Sequence, residues 1–171
     1  MIMNTNSLPF FDPTKDIDLN VGILLILLNS LARSNRGTLL INNEKLHAYF
    51  YLVRNPVLLD RLLVQLGRTG VPLDEAELYS VNSISINLDP LFDSSWIKAL
   101  IGFAASKNLI AVEYRKTDGF MYYLTDEGIS IAQQLGGEYF SLVEKYVRGI
   151  DQIKSLPTSE LTKSLNNLFR G

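Results

Sequence analysis

Between Asp93 and Leu135 the chain sets a helix, a tight β-hairpin and a second helix in immediate succession, an order that leaves few ways to close a core. Ser94 and Ser95 are placed to cap a helix that carries Trp96, Leu100 and Phe103 and runs to Lys107, where Asn108 tolerates a left-handed stop. Leu109 to Tyr114 is rich in strand-forming Val, Ile and Tyr. Thr117-Asp118-Gly119 follows, and its Asp-Gly pair is a strong short-range hairpin signal. Phe120 to Leu124 returns as the partner strand, and Thr125 caps the next helix. No residue in the stretch carries catalytic chemistry.

Residues 1–15 form a polar arm with Pro9 and Pro13, in which Phe10 and Phe11 are expected to pack on this protein or on a partner. Asp16 or Asp18 caps a first helix that runs to about Arg33; Ser34 to Gly37 breaks it, and Thr38 to Ile41 is β-like. Asn42 or Asn43 caps a helix through Leu46, Tyr49, Phe50 and Val53. Asn55-Pro56 starts another, which carries Leu58, Leu59, Leu62, Leu63 and Leu66 and ends near Gly67 or Gly70. Pro72 to Leu88 is expected to supply further strands, Glu77 to Val81 and Ile84 to Leu88. Beyond the hairpin, Asp126 to Leu135 is helical, Gly136-Gly137 breaks it, and Tyr139, Val143, Tyr146, Val147, Ile150 and Ile153 recur at helical spacing. Ser159 begins a last amphipathic helix with the stripe Leu161, Leu165, Leu168 and Phe169, which either closes the core in cis or docks on another chain; it is carried as a candidate partner interface together with Phe10 and Phe11.

Tyr122-Tyr123-Leu124-Thr125-Asp126-Glu127-Gly128, with Ala132 four residues on, resembles the Y-x-L-T-x-x-G ending of many bacterial winged-helix wings. The expected fold is therefore α+β and mainly helical, a winged helix-turn-helix. It is read either as one elaborated unit or, preferred, as two tandem units: an arm at 1–15, a first unit at 16–88, a second at 89–155 and an amphipathic tail at 156–171.

Composition narrows the function. Cysteine is absent, which removes thiol catalysis, disulfides and cysteine metal sites, and His47 is the only histidine. Neither G-x-x-x-x-G-K-[ST], G-x-G-x-x-G nor G-x-S-x-G occurs. His47 sits in an aromatic helix and reads as structural, and Asp74, Glu75 and Glu77 read as a solvated acidic loop. The expectation is a protein that is not an enzyme and has no cofactor and no metal. Val21 to Leu28 is uninterruptedly apolar but far short of the roughly 20 residues of a membrane span, so no membrane partner is expected and the protein is read as soluble and cytoplasmic.

A net charge of −2 argues against strong autonomous binding to DNA, whose phosphates demand clustered Lys and Arg. The helix from 95 to 107 is apolar around most of its circumference, with a polar line of Ser95, Lys98, Gly102 and Ser106, and it reads as an interface element more than a groove reader. Candidate nucleic-acid contacts are Lys98 and Lys107 on that helix, Arg115 and Lys116 at the hairpin tip, and Arg61 and Arg68, which are expected to share a solvated face.

Phe11-Asp12-Pro13-Thr14-Lys15, the leucine-rich first helix, Tyr51-Leu52-Val53-Arg54-Asn55-Pro56, Asn87-Leu88-Asp89-Pro90-Leu91-Phe92 and the hairpin ending together resemble the middle component of bacterial ABC-three-component systems, the class that includes Lamassu-type antiphage defence. The likeness spans roughly residues 10 to 136. It implies an adaptor that joins an SMC-like ATPase to an effector subunit, often a nuclease, and that reaches DNA through the complex. The alternative is a homodimeric winged-helix transcription regulator, dimerising through Tyr139 to Ile153 and contacting DNA through Lys98, Arg115 and Lys116.

Overall fold

The leucine-rich first helix organises the rest of the chain. In a computed structural model that describes residues 16–79 and 94–171, α1 (Ile17–Leu31) begins at Asp16, whose Oδ1 accepts the Leu19 amide at 3.0 Å. Every residue from Asn20 to Leu28 is buried, as is Leu31. A helix that is apolar on all sides needs neighbours on all sides, and the later elements supply them. Among the described residues no helix is long and apolar enough to cross a membrane.

Past α1 the chain turns back on itself, with the Leu40 amide donating to the Ala32 carbonyl at 2.9 Å. The β-like run expected at Thr38 to Ile41 forms isolated bridges instead of a full strand: Arg33 pairs with Leu39, and Asn42 with Met121. Asn42 Oδ1 then caps α2 (Asn43–Val53) by accepting the Lys45 amide at 2.9 Å. Pro56 opens α3 (Pro56–Gln65) as its fixed φ favours. Asn55 holds the cap position, but its Nδ2 reaches back to the Tyr51 carbonyl at 2.8 Å, so it ties α3 to α2 without capping α3.

The strand expected from Glu77 begins differently. Glu77 and Leu78 belong to the four-residue α4 (Glu75–Leu78), closed by a capping box in which Asp74 and Glu77 each bond the other's backbone amide, at 2.8 and 2.7 Å. Tyr79 follows as the residue that ends α4, while Ser80 and Val81, the strand expected from Ile84, the division at 88/89, and Phe10 and Phe11 lie outside the described residues.

The helix–hairpin–helix order appears as read. The helix α5 (Ser95–Ser106) ends at Asn108, whose φ of 57° makes the left-handed stop. β1 (Ile110–Arg115) and β2 (Gly119–Leu124) pair antiparallel from Ile110 opposite Leu124 to Arg115 opposite Gly119. Gly119 has a φ of 77°, which is why glycine closes this turn. Ser94 precedes α5 but makes no side-chain cap bond. Thr125 does cap α6 (Asp126–Gln134): its Oγ1 accepts the Gly128 amide at 3.0 Å and donates to the Asn108 carbonyl at 2.6 Å. The helices α7 (Glu138–Asp151) and α8 (Thr158–Arg170) complete the mainly helical α+β arrangement of eight helices and one hairpin among the described residues.

The helix α1 packs against α2, α5, α6, α7 and β2; α7 also covers α2 and α3, and α8 lies on α2 and α3. Buried side chains from both ends of the chain therefore join one hydrophobic cluster. Each fully buried leucine in it contributes on the order of 2 kcal/mol relative to exposure. The Tyr122 amide donates to the Ile41 carbonyl at 2.9 Å, so the hairpin is attached by backbone to the segment that leads into α2.

Candidate interaction surface

The hairpin has two faces of different character. Ile110, Val112 and Tyr114 share one face with their partners Leu124, Tyr122 and Phe120. Its base is buried, whereas toward the tip Val112 is 44% exposed, Tyr114 66% and Phe120 50%. The Tyr114 and Phe120 rings meet edge to face at 5.3 Å, so they stand as one aromatic pair outside the core. On the other face Arg115 Nε lies 3.1 Å from Glu113, and the Arg33 guanidinium lies 4.9 Å from the Tyr123 ring centroid. In sequence, Leu109 to Tyr114 reads only as a strand; the alternation in Ile110-Ala111-Val112-Glu113-Tyr114 is the signal that would have marked an apolar face. Only the packing shows that its outer half projects past the core.

The candidate nucleic-acid contacts are distributed over three elements. Arg61 is exposed on α3, and Arg68 lies beyond that helix's end, so their spacing of seven no longer describes a common helical face. Lys98 is exposed on α5, and Lys107 follows its end with Nζ 5.7 Å from the Phe103 ring centroid. Lys116 is exposed in the hairpin turn. Arg115 is half-buried, paired with Glu113, and lines a polar cleft of about 520 Å³ shared with Lys45, Glu44, Asp118 and Thr158. Lys45 Nζ donates to the Lys154 carbonyl at 2.9 Å; burial lowers its pKa, with the nearby Asp118 charge acting the other way.

The helix α5 is less enclosed than expected. Ile97, Leu100, Ile101 and Ala104 are buried, but Ala99, Gly102 and Ala105 lie exposed beside Lys98 and Ser106. Alanine and glycine count as apolar in a sequence yet offer little area to bury, so the helix needs cover on one side only. Trp96 packs edge to face on Phe50 at 5.0 Å, with the Arg54 guanidinium 5.5 Å from its ring centroid.

The terminal stripe closes the core. Leu161 is 1% exposed and Leu165 5%, and Leu168 and Phe169 pack partly buried against the same cluster. The amide of Gln65 holds α8 through the Ser164 carbonyl at 3.1 Å. Leu161 and Leu165 are therefore taken up within this chain, whereas Leu168 and Phe169 keep part of their surface exposed. Most of the dimerisation face expected at Tyr139 to Ile153 is likewise taken up, because Val143, Tyr146, Val147, Ile150 and Ile153 are buried within this chain, while Tyr139 is 42% exposed.

A second, mostly apolar groove of about 480 Å³ opens between α1, the end of α2, α4 and the start of α7, lined by Ile23, Val53, Arg54, Tyr139, Leu142 and Tyr146. Glu77 closes one end. It was expected in a solvated acidic loop, but the capping box aims it at α7, where it accepts from Lys145 Nζ at 2.9 Å and from the Tyr146 hydroxyl. Burial raises the Glu77 carboxyl pKa, but hydrogen bonds from Tyr146, the Asp74 backbone and Lys145, with the Lys145 charge, outweigh it and hold it below its ordinary value of 4.5. A carboxyl depressed in the fold stabilises it above the unfolded pKa, and that stabilisation is lost as pH falls through the folded one. Glu77→Gln is expected to cost about 1 kcal/mol at neutral pH in urea denaturation, with the gap to the unsubstituted protein shrinking as pH falls below the ordinary carboxyl value of 4.5. A gap that stays constant with pH would show that the clamp is not ionic.

Among the described residues no group of three or more His, Asp or Glu side chains is placed to hold a metal ion. No curated protein and no solved structure matches the chain. A family model does: that of the ABC-three component (ABC-3C) system Middle Component 4, over residues 31–163. With most of its length inside that match, the chain belongs to the ABC-3C Middle Component 4 family.

Proposed function

We propose that this middle component is a non-catalytic adaptor in a Lamassu-type antiphage system, working in the cytoplasm and joining an SMC-like ATPase to an effector subunit. Its architecture is read as one elaborated winged helix: α1, the segment at 38–42, α2, then α5 and the hairpin, with α3 and α4 inserted before α5. The hydrogen bond from Tyr122 to Ile41 supports that reading, since it attaches the hairpin to the segment preceding α2.

The observation that carries the adaptor role is the character of the hairpin. A wing that grips a duplex clusters cations toward phosphate; this one exposes Lys116 alone at its tip beside Val112, Tyr114 and Phe120, and its Arg115 is held by Glu113. Exposed aromatic clusters of this kind are more often anchors for proteins. The scattering of Arg61 and Lys98 on α3 and α5, and of Arg68 and Lys107 past their ends, agrees with DNA being reached through the complex.

The test is co-expression with the other components of the system and measurement of the mass of the purified assembly. A stable complex containing the ATPase is expected, and Arg115→Ala with Lys116→Ala is expected to leave it intact. A homodimer free of partners, binding DNA with an affinity that falls steeply with salt, would replace the adaptor by the transcription-regulator reading.

A further inference from the structure

The two edges of the hairpin are not equivalent. The outer edge of β2 is engaged by the chain itself, through the bond from the Tyr122 amide to Ile41 and the bridge between Met121 and Asn42. The outer edge of β1 has no strand beside it among the described residues. The register decides which backbone groups lie there. The Leu109 carbonyl accepts the Thr125 amide at 3.1 Å, so Leu109 opposite Thr125 is a hydrogen-bonded position. In an antiparallel ladder these positions alternate, which turns the N–H and C=O of Ala111 and Glu113 toward β2 and those of Val112 and Tyr114 outward. The Tyr122 amide, opposite Val112, points away from β1 toward Ile41 as this alternation requires.

The devices that usually blunt a free edge are missing. The pairing runs without a bulge, and β1 contains no proline and no lysine. Its two charges, Glu113 and Arg115, pair with each other on the opposite face. What lies beside the free backbone groups is apolar: Val112 and Tyr114 from β1 and Phe120 from β2.

We propose that this edge receives an extended segment of another component of the same system as an added antiparallel or parallel strand beyond β1. The occupant is defined by charge. The strip beside the edge carries no ion to match one, so a charged residue on the incoming strand's inner face would be desolvated unpaired. The fitting segment is uncharged on that face, with aliphatic or aromatic side chains at alternate positions. It spans about 20 Å, the length of a six-residue strand. The inference rests on the adaptor reading, which supplies a protein partner.

The experiment uses the full chain co-purified with its system's other components, and reads amide exchange and affinity. In the complex the amides of Val112 and Tyr114 are expected to gain protection, while those of Ala111 and Glu113, already bonded to β2, change little. Val112→Pro removes an outward donor without touching the bonds between β1 and β2, and is expected to weaken the partner's affinity about tenfold. Tyr114→Ser with Phe120→Ser is expected to weaken it at least as much, and the exchange measurement on the unsubstituted chain stands independently if either variant folds poorly. If the serine variant weakens binding but Val112→Pro does not and the outward amides gain no protection, side chains alone dock and strand addition is overturned. An intact complex indifferent to both variants overturns the inference and leaves the adaptor reading standing. Failure of the unsubstituted chain to form a complex overturns both, and self-association of the chain alone through this edge overturns the assignment of its occupant.

Discussion

Gly128→Ala is expected to lower stability by about 3 kcal/mol, a fall in melting temperature of roughly 6–12 °C for a chain of this size. Ordinarily the same change inside a helix gains up to about 1 kcal/mol in propensity, so the sign itself is informative. A Cβ at position 128 would overlap the Leu109 carbonyl oxygen and lie 3.0 Å from the carbonyl carbon. That oxygen has little freedom to retreat, because it accepts the Thr125 amide at 3.1 Å and opens the path into β1. Accommodating the methyl group means separating the first turn of α6 from the start of the hairpin. Thermal or urea denaturation of the isolated chain checks this, and an unchanged or raised midpoint would show that the close approach is not maintained in solution. Thr125→Val, which deletes the cap and the bond to Asn108, is expected to cost about 1 kcal/mol by comparison.

The second large effect is expected at Leu165. The side chain is 5% exposed on α8, so Leu165→Asp places a carboxylate in the hydrophobic cluster without a partner. Truncation of a buried leucine alone costs about 2–5 kcal/mol, and the uncompensated charge adds to it. The total approaches the 5–15 kcal/mol or so that holds an ordinary domain together. Unfolding of the isolated chain is thus the readout, since a helix that docked elsewhere would lose its partner with the chain's own stability unaltered. Loss of assembly with an unchanged melting curve would return the stripe to a partner. Protonation removes the charge, so the penalty is expected to shrink in acid, and Leu165→Ala to remain less harmful at neutral pH.

These two residues also mark how far the sequence was legible. The Thr125-to-Gly128 spacing was visible as part of a hairpin ending, and the structure gives it a cause: the threonine caps α6, and the glycine lets that helix start against Leu109. The stripe from Leu161 to Phe169 was visible as amphipathic, but periodicity says only that a face will be buried. It carries no information about what buries it. The same limit applied to α7, whose apolar positions from Val143 to Ile150 are buried in this chain. Glu77 was misread for a related reason, because two acidic neighbours suggest a solvated loop until a capping box orients one of them toward Lys145 and Tyr146.

Local chemistry in the sequence settled the helix start at Thr125, the left-handed stop at Asn108, the hairpin closed by Gly119 and the all-round apolarity of α1, and it narrowed two other starts to Asp16 or Asp18 and to Asn42 or Asn43. Each depends on a few adjacent residues and on backbone sterics or hydrogen bonds that act over one turn. Tertiary structure alone decided that α8 and α7 close the core, that the segment before α2 engages β2, and that Val112, Tyr114 and Phe120 stand outside, with no strand beside the outer edge of β1 among the described residues. Those outcomes depend on which surfaces meet across long separations in the chain, where burial is non-directional and many pairings satisfy the same pattern.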